Sequence, residues 1–212
     1  MTGSAFRGWP PTAPKFFAGL EADNTKAYWR DHEGVYERDV KAPMVALLAD
    51  LTGEFGPVHL FRPYRDIRFS KDKSPYKTSV AATVGSGYVQ LTAHRLQVGA
   101  GFHQLAGEQL ERYRAAVGAE RTGRQLERIV SALRRASLDV SGTDELRTAP
   151  RGYAPDHPRI ELLHYRGIVA EREWPIAPWL STATTKRRVV ATLRATKPLV
   201  DWLDTNVGGA RV

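Results

Sequence analysis

The sequence predicts an α+β domain in which an antiparallel sheet meander, at about residues 58–104, packs with N-terminal, central and C-terminal helices. Two observations carry that prediction. Three consecutive runs in the middle of the chain alternate apolar and small or polar residues with period two, separated by turns too short for a crossover helix. The helical periodicity is confined to blocks on either side of them, which argues against a doubly wound parallel sheet.

The first helical block is capped by Asp23 or Asn24 and carries Tyr28, Trp29, His32, Tyr36 and Val40 at helical spacing. Pro43 suits the first turn of a second helix bearing Met44, Val45, Leu47, Leu48 and Leu51, with Gly53 and Gly56 as stop signals. Val80, Ala82 and Val84 then alternate with Ser79, Ala81 and Thr83. Gly85-Ser86-Gly87 turns the chain, Val89, Leu91 and Ala93 alternate again, and Leu96, Val98, Ala100 and Phe102 form a third run. A further strand is expected to precede them at about Val58 to Arg62. Glycines at 99 and 101 on one strand face predict close approach of another element.

Helices are expected at about 106–117 and 122–136, the latter with an apolar stripe of Leu126, Ile129, Val130 and Leu133 and arginines elsewhere. Residues 168–174 read as a strand. A C-terminal helical pair is expected to divide at Pro198, Val189, Val190 and Leu193 lying before it and Leu199, Val200, Trp202 and Leu203 after. With no repeat or long linker, residues 1–207 are expected to form one domain and 208–212 a frayed tail.

Composition sets outer limits. The 212 residues are 42% apolar and 25% charged, which is ordinary for a globular chain and wrong for a disordered one. The absence of cysteine excludes disulfides, thiolate metal sites and cysteine nucleophiles. No signal-like apolar core stands at Met1–Pro10 and no stretch matches a membrane span, so a cytoplasmic address without a membrane partner is expected. The six histidines show no metal-ligand spacing, and no metal is expected. Phosphate-loop, dinucleotide and nucleophile-elbow motifs are missing, leaving the cofactor unknown.

The net charge of +8 suggests an acidic partner such as nucleic acid, but 23 of the 31 basic residues are arginine, a compositional bias that spreads charge without a target. One segment is more pointed. Residues 62–77 hold six cations (Arg62, Arg65, Arg68, Lys71, Lys73, Lys77) and two acids (Asp66, Asp72), a local excess of +4. Such crowded like charges repel unless acids, solvent or a bound anion separate them. Tyr64, Ile67, Phe69 and Tyr76 would anchor the segment, and Pro63 and Pro75 would stiffen it.

Arg-Asp-Ile-Arg-Phe-Ser-Lys-Asp-Lys-Ser-Pro-Tyr-Lys-Thr at 65–78 resembles the signature of the family catalogued as domain of unknown function 2461. Pro-Arg-Gly-Tyr at 150–153, Asp-His-Pro-Arg at 156–159 and Glu-Leu-Leu at 161–163 resemble its second signature. Phe16, Leu20, Asn24, Tyr28, Trp29 and Tyr36 fit its N-terminal pattern. In that pattern a histidine often follows Tyr-Lys-Thr, where this chain has Ser79. The resemblance spans nearly the whole chain and implies no activity, cofactor or substrate.

The residues themselves suggest a pocket for a phosphate- or carboxylate-bearing small molecule. Arg65, Arg68, Lys71, Lys73 and Lys77 would supply charge, Asp66 and Asp72 would position them, and Tyr76 would orient the ligand or donate a proton. His157 is the candidate acid or base if there is chemistry. Arg151 could face the same cleft or be a surface bend, and Asp156 could serve the site or cap a following helix with Pro158 in its first turn. Two alternatives stand beside the pocket: a basic nucleic-acid-binding module, and a structural salt-bridge lock with no ligand.

Overall fold

The computed structural model describes residues 5–68, 70–105 and 107–208; the C-terminal tail expected to fray lies, beyond Gly208, outside the described residues. At the N-terminal side, α1 (Thr12–Ala22) buries Ala13, Phe16, Phe17 and Leu20, one helical face. The cap of α2 (Lys26–Val35) falls on Thr25, one residue after Asn24 and two after Asp23, the expected caps. Thr25 holds the extended cap conformation, and its hydroxyl oxygen accepts from the Tyr28 N–H at 3.2 Å. Asn24 is thereby left for another task.

The helical run continues into a π-helical turn (Tyr36–Lys41) and α3 (Ala42–Phe55), with Pro43 in its first turn as expected. Proline brings no N–H, and its ring crowds the carbonyl four residues back. The backbone widens just before it: the Ala42 N–H bonds the Glu37 carbonyl, five residues earlier. The turn also buries Asp39, whose carboxylate accepts from the Thr12 hydroxyl at 2.6 Å and from Arg38 at 2.8 and 2.9 Å. Gly56, at φ 100°, ends α3, whereas Gly53 lies inside it.

Six strands form one antiparallel sheet: β1 (Val58–Leu60), β2 (Ser79–Val84), β3 (Gly87–Thr92), β4 (Arg95–Phe102), β5 (Asp139–Gly142) and β6 (Ile168–Pro175), in the order β1-β2-β3-β4-β6-β5. The α+β class and the meander are as the sequence predicts. Val80 pairs with Leu91 and Ala82 with Val89, so the predicted apolar set shares one buried face. β5 was not anticipated. Of its four residues only Val140 is buried, which leaves no alternation to read.

Contacts divide the chain into two compact units, residues 1–98 with 173–191, and residues 99–172 with 192–212. The first holds α1 to β3, a 3-10 turn (Pro178–Ser181), and a core including Trp9, Phe17, Leu20, Met44, Leu47, Leu51, Val89 and Leu91. The second holds α4 (Gly107–Gly118), α5 (Glu120–Arg135), α6 (Ile160–His164) and β5. Its core joins Leu126, Val130 and Leu133 of α5 to Tyr113, Leu163, Ile168 and Trp202.

The C-terminal helical pair is instead one helix, α7 (Thr184–Asn206), with Pro198 inside it. An interior proline costs about 3 kcal/mol. Leu199, Trp202 and Leu203 are nearly fully buried beyond it. At roughly 1.5–3 kcal/mol each, their burial outweighs the break. Among the described residues no helix is long and apolar enough to cross a membrane.

The glycine pair in β4 behaves as expected. Gly101 has φ 143°, and a Cβ there would meet the Ile168 carbonyl and lie 2.8 Å from the Val169 Cα; a Cβ at Gly99 would lie 2.8 Å from the Ala170 carbonyl. We therefore expect Gly101→Ala to destabilise the protein by about 3 kcal/mol, since strain and overlap act together. Urea denaturation measures it, and an unchanged midpoint would contradict the backbone geometry.

Candidate functional site

The charged segment at 62–78 is closed on itself before it is anchored to anything else. The Arg65 N–H donates to the Pro75 carbonyl at 2.9 Å, and the Lys77 N–H to the Pro63 carbonyl at 2.7 Å, around an antiparallel bridge between Tyr64 and Tyr76. Both prolines thus occupy ladder positions where only a carbonyl is required. Asn24 then clamps the bridge. Its side-chain oxygen accepts from the Tyr76 N–H at 3.1 Å, while its amide donates to the Tyr76 carbonyl at 3.0 Å.

Aromatic packing completes the anchor. The Tyr76 ring stacks on Trp29 at 4.3 Å with planes 7° apart, and Trp29 in turn meets Tyr36 and Phe16. Of the four anchors expected from sequence, Tyr76 is buried, Ile67 is partly buried and Tyr64 is about half exposed at 48%. Phe69 lies outside the described residues.

The charges pair locally. Arg65 binds Asp72, whose other oxygen accepts from the Ser74 N–H at 2.9 Å and the Ser74 hydroxyl at 2.6 Å. Asp66 takes two bonds from the Arg68 guanidinium, at 2.6 and 2.9 Å, and one from the Arg68 N–H at 3.2 Å. Lys73 donates to the Ile67 carbonyl at 3.0 Å, so its role is to tie the loop. Lys71 is exposed. The Arg65 guanidinium, with the Ser74 donors, holds the Asp72 carboxyl well below the usual carboxylate range. Arg68 lowers Asp66 in the same direction. Both carboxylates face solvent, and exposed pairs of this kind contribute little to stability.

A cleft of about 420 Å³ opens beside this loop, lined by Glu21, Asn24, Arg65, Asp72, Ser74, Tyr76, Lys77, Thr78 and Ser79. Four expected site residues line it: Arg65, Asp72, Tyr76 and Lys77. Asp66, Arg68, Lys71 and Lys73 do not. Glu21 is held by His94 at 2.9 Å, and Asp72 by Arg65. The Lys77 ammonium instead sits 5.4 Å from the centre of the Phe61 ring, without a carboxylate partner among the described residues. Ser79 accepts from Gln90 at 3.0 Å, so its own hydroxyl proton remains available. Burial, then the neighbouring Tyr64 and Glu33, push the Tyr76 phenol up, so it stays protonated at neutral pH.

The 150–159 signature belongs to the second unit, and the 65–78 signature to the first. Tyr153 and His157 meet edge to face at 6.0 Å, and the His157 Nδ1 accepts from the Arg159 N–H at 3.0 Å. That bond assigns the neutral ring its proton on Nε2. Arg151 and Asp156 are exposed. Asp156 does not cap α6: the cap position falls on Arg159, three residues later, because the His157 carbonyl accepts from the Ile160 N–H at 2.9 Å and sets the helix start there.

Arg159 is the residue whose role sequence reasoning missed. Its side chain is 6% exposed, and its guanidinium donates to the Val117 carbonyl at 2.7 Å, the Gly118 carbonyl at 3.1 Å and Glu120 at 3.3 Å, with Glu127 at 3.6 Å. It satisfies the open C-terminus of α4 and joins it to the first turns of α5. Among the described residues no group of three His, Asp or Glu side chains is placed to hold a metal ion.

A family model described as a conserved hypothetical protein (DUF2461) matches residues 12–202. No curated protein matches the chain. Among solved structures, an uncharacterized protein from Methanothermobacter thermautotrophicus is similar over 78% of this chain and 97% of its own, with 13% identity and a TM-score of 0.39.

Two outcomes follow from the geometry. Arg159→Ala should cost about 3 kcal/mol of stability, because two carbonyls lose a buried charged donor; a melt within a degree of wild type would contradict that role. Asp72 has a lowered folded pKa, so its contribution is present above the unfolded value and disappears as pH falls through the folded one. The Ser74 amide resonance should therefore hold its position through the ordinary aspartate midpoint of about pH 4 and move only in stronger acid. A midpoint at the ordinary value would remove the pairing.

Proposed function

The chain belongs to the family of conserved hypothetical proteins DUF2461, and we propose that the cleft of its first unit binds a small carboxylate that also carries a hydroxyl or amino group. The observation that carries this reading is the Lys77 ammonium. It lines the cleft without a carboxylate partner among the described residues, next to the hydroxyls of Thr78 and Ser79. An ammonium beside free hydroxyl donors suits an anionic group.

The same cleft discriminates among anions. Its lining carries two cations, Arg65 and Lys77, and two acids, Glu21 and Asp72. A phosphate dianion would be repelled by the acids, whereas a single negative charge meets Lys77 and leaves the acids to accept from a hydroxyl or ammonium. Tyr76, which also lines the cleft, keeps its phenol proton. Of the expected charge donors, Lys77 and Arg65 keep their role in this reading, and Arg68 and Lys73 become supports of the loop. His157, in the other unit, takes no part in it.

The reading of these charges as a structural lock has less support. The ion pairs of the segment are solvent-facing, and the anchoring is aromatic and backbone-mediated.

The test is a titration of the full chain with glycerate, and in parallel with inorganic phosphate, followed by amide chemical shifts. Saturable shifts confined to residues 72–79 with glycerate, weakened at least about tenfold in Lys77→Gln, are expected. Lys77 is only partly buried, so the variant should melt as the wild type does. Absence of saturation, or equal affinity in Lys77→Gln, would refute the proposal; preference for phosphate would overturn the charge argument.

A further inference from the structure

The second unit carries a larger concavity that is independent of the first-unit cleft. A groove of about 840 Å³ runs along the wet face of α5, lined by Glu120, Arg124, Glu127, Arg128, Ser131 and Arg135, and walled by Pro158 and Arg159. Arginines on the solvent side of a helix are ordinarily just solvated. Two features separate this face from that case: it is concave, and its charges are sorted.

At the N-terminal end the charges are spent on one another. Arg124 pairs with Glu120, while buried Arg159 holds Glu120 at 3.3 Å and Glu127 at 3.6 Å. At the C-terminal end, Arg128 and Arg135 have no partner among the described residues. Ser131 stands between them, three residues after the first and four before the second, so all three side chains share one strip of helix surface. Side chains lean towards the helix N-terminus, which carries the Arg135 guanidinium back over Ser131. The helix dipole accounts for acids first and bases last. It does not account for a walled groove lined by two unpaired guanidinium groups and a hydroxyl.

We propose that this groove is a second ligand site, for a phosphomonoester whose organic body bears hydroxyl or amino donors. The phosphate sits at Ser131 between Arg128 and Arg135, whose planar forks match its oxygens. The body extends towards Glu127 and Glu120, whose free lone pairs accept from it. A volume of this size falls within the range of small-molecule sites. A nucleic-acid strand fits less well, because its next phosphates along the groove would meet arginines already occupied by Glu120 and Glu127.

The experiment uses the full chain carrying Lys77→Gln, which silences the first-unit cleft so that the two sites report separately. It is titrated with ribose 5-phosphate, with inorganic phosphate and with a short thymidine oligonucleotide, again by amide shifts. The expected result is saturable movement of residues 128–135 with ribose 5-phosphate, weaker with inorganic phosphate. The affinity should fall at least about tenfold when Arg128→Gln and Arg135→Gln are combined. Both arginines are exposed, so far-ultraviolet circular dichroism should be unchanged. No saturable movement, or equal binding in the double variant, overturns the site. Oligonucleotide binding that is tighter than ribose 5-phosphate and falls steeply with salt overturns it in favour of a nucleic-acid surface.

Discussion

The first unit depends on how one asparagine satisfies one tyrosine. Asn24 leaves the capping of α2 to Thr25 and spends its amide on both backbone groups of Tyr76. Those groups would otherwise be a donor and an acceptor in a part-buried setting with no strand beside them. Two hydrogen bonds of this kind are worth about 2 kcal/mol together, and leaving the pair unmade would cost at least as much. The Trp29 stack then fixes the ring of the residue whose backbone Asn24 holds. Once Tyr76 is pinned, Ser74, Lys77, Thr78 and Ser79 are pinned within three residues of it, and the cleft has one wall.

The two signatures resolve into two different kinds of charge. In the 65–78 loop the ion pairs are exposed, so they shape the loop and contribute little to its stability. In the 150–159 signature one buried arginine does the opposite work: it gives a charged donor to two carbonyls at the end of α4 and reaches two carboxylates of α5. Counting charges in the sequence cannot distinguish these cases, because the difference is one of burial. The same reasoning separates Lys73 from Lys77. Four residues apart and alike in composition, one is consumed by a loop carbonyl and the other stands at the cleft with only a ring beneath it.

Most of the fold was legible because most of it is periodic. The meander, α5 and its apolar stripe follow directly from alternation and from helical spacing, and β4 revealed its glycines for the reason they are there. What escaped was short, cooperative or overridden. β5 has a single buried residue; the Pro198 break was overruled by burial beyond it; and the α2 cap shifted because Asn24 had a tertiary partner 52 residues away. At the candidate site, only Arg65, Asp72, Tyr76 and Lys77 of the expected set line the cleft beside the charge-rich segment. Arg159 lay inside a recognised motif yet gave no local sign of its role, since its partners are about forty residues earlier in the chain.

Net charge reads differently once charges are assigned to partners. Half of the +8 excess lies in residues 62–77, which favours a strong anion attractor when read as a sum. The cleft beside that segment is nevertheless balanced, two cations against two acids, because the surplus cations are turned to loop carbonyls, to Asp66 or to solvent. Along α5 the composition looks more neutral, with carboxylates interleaved among the arginines, yet there the acids are consumed at one end and two guanidinium groups are left at the other. On the readings proposed here, a local sum ranks the two places in the opposite order for a dianion. In the proposed readings selectivity follows which charges remain unpaired: one ammonium in a charge-balanced cleft suits a monoanion, and two forked cations beside a hydroxyl suit a phosphate.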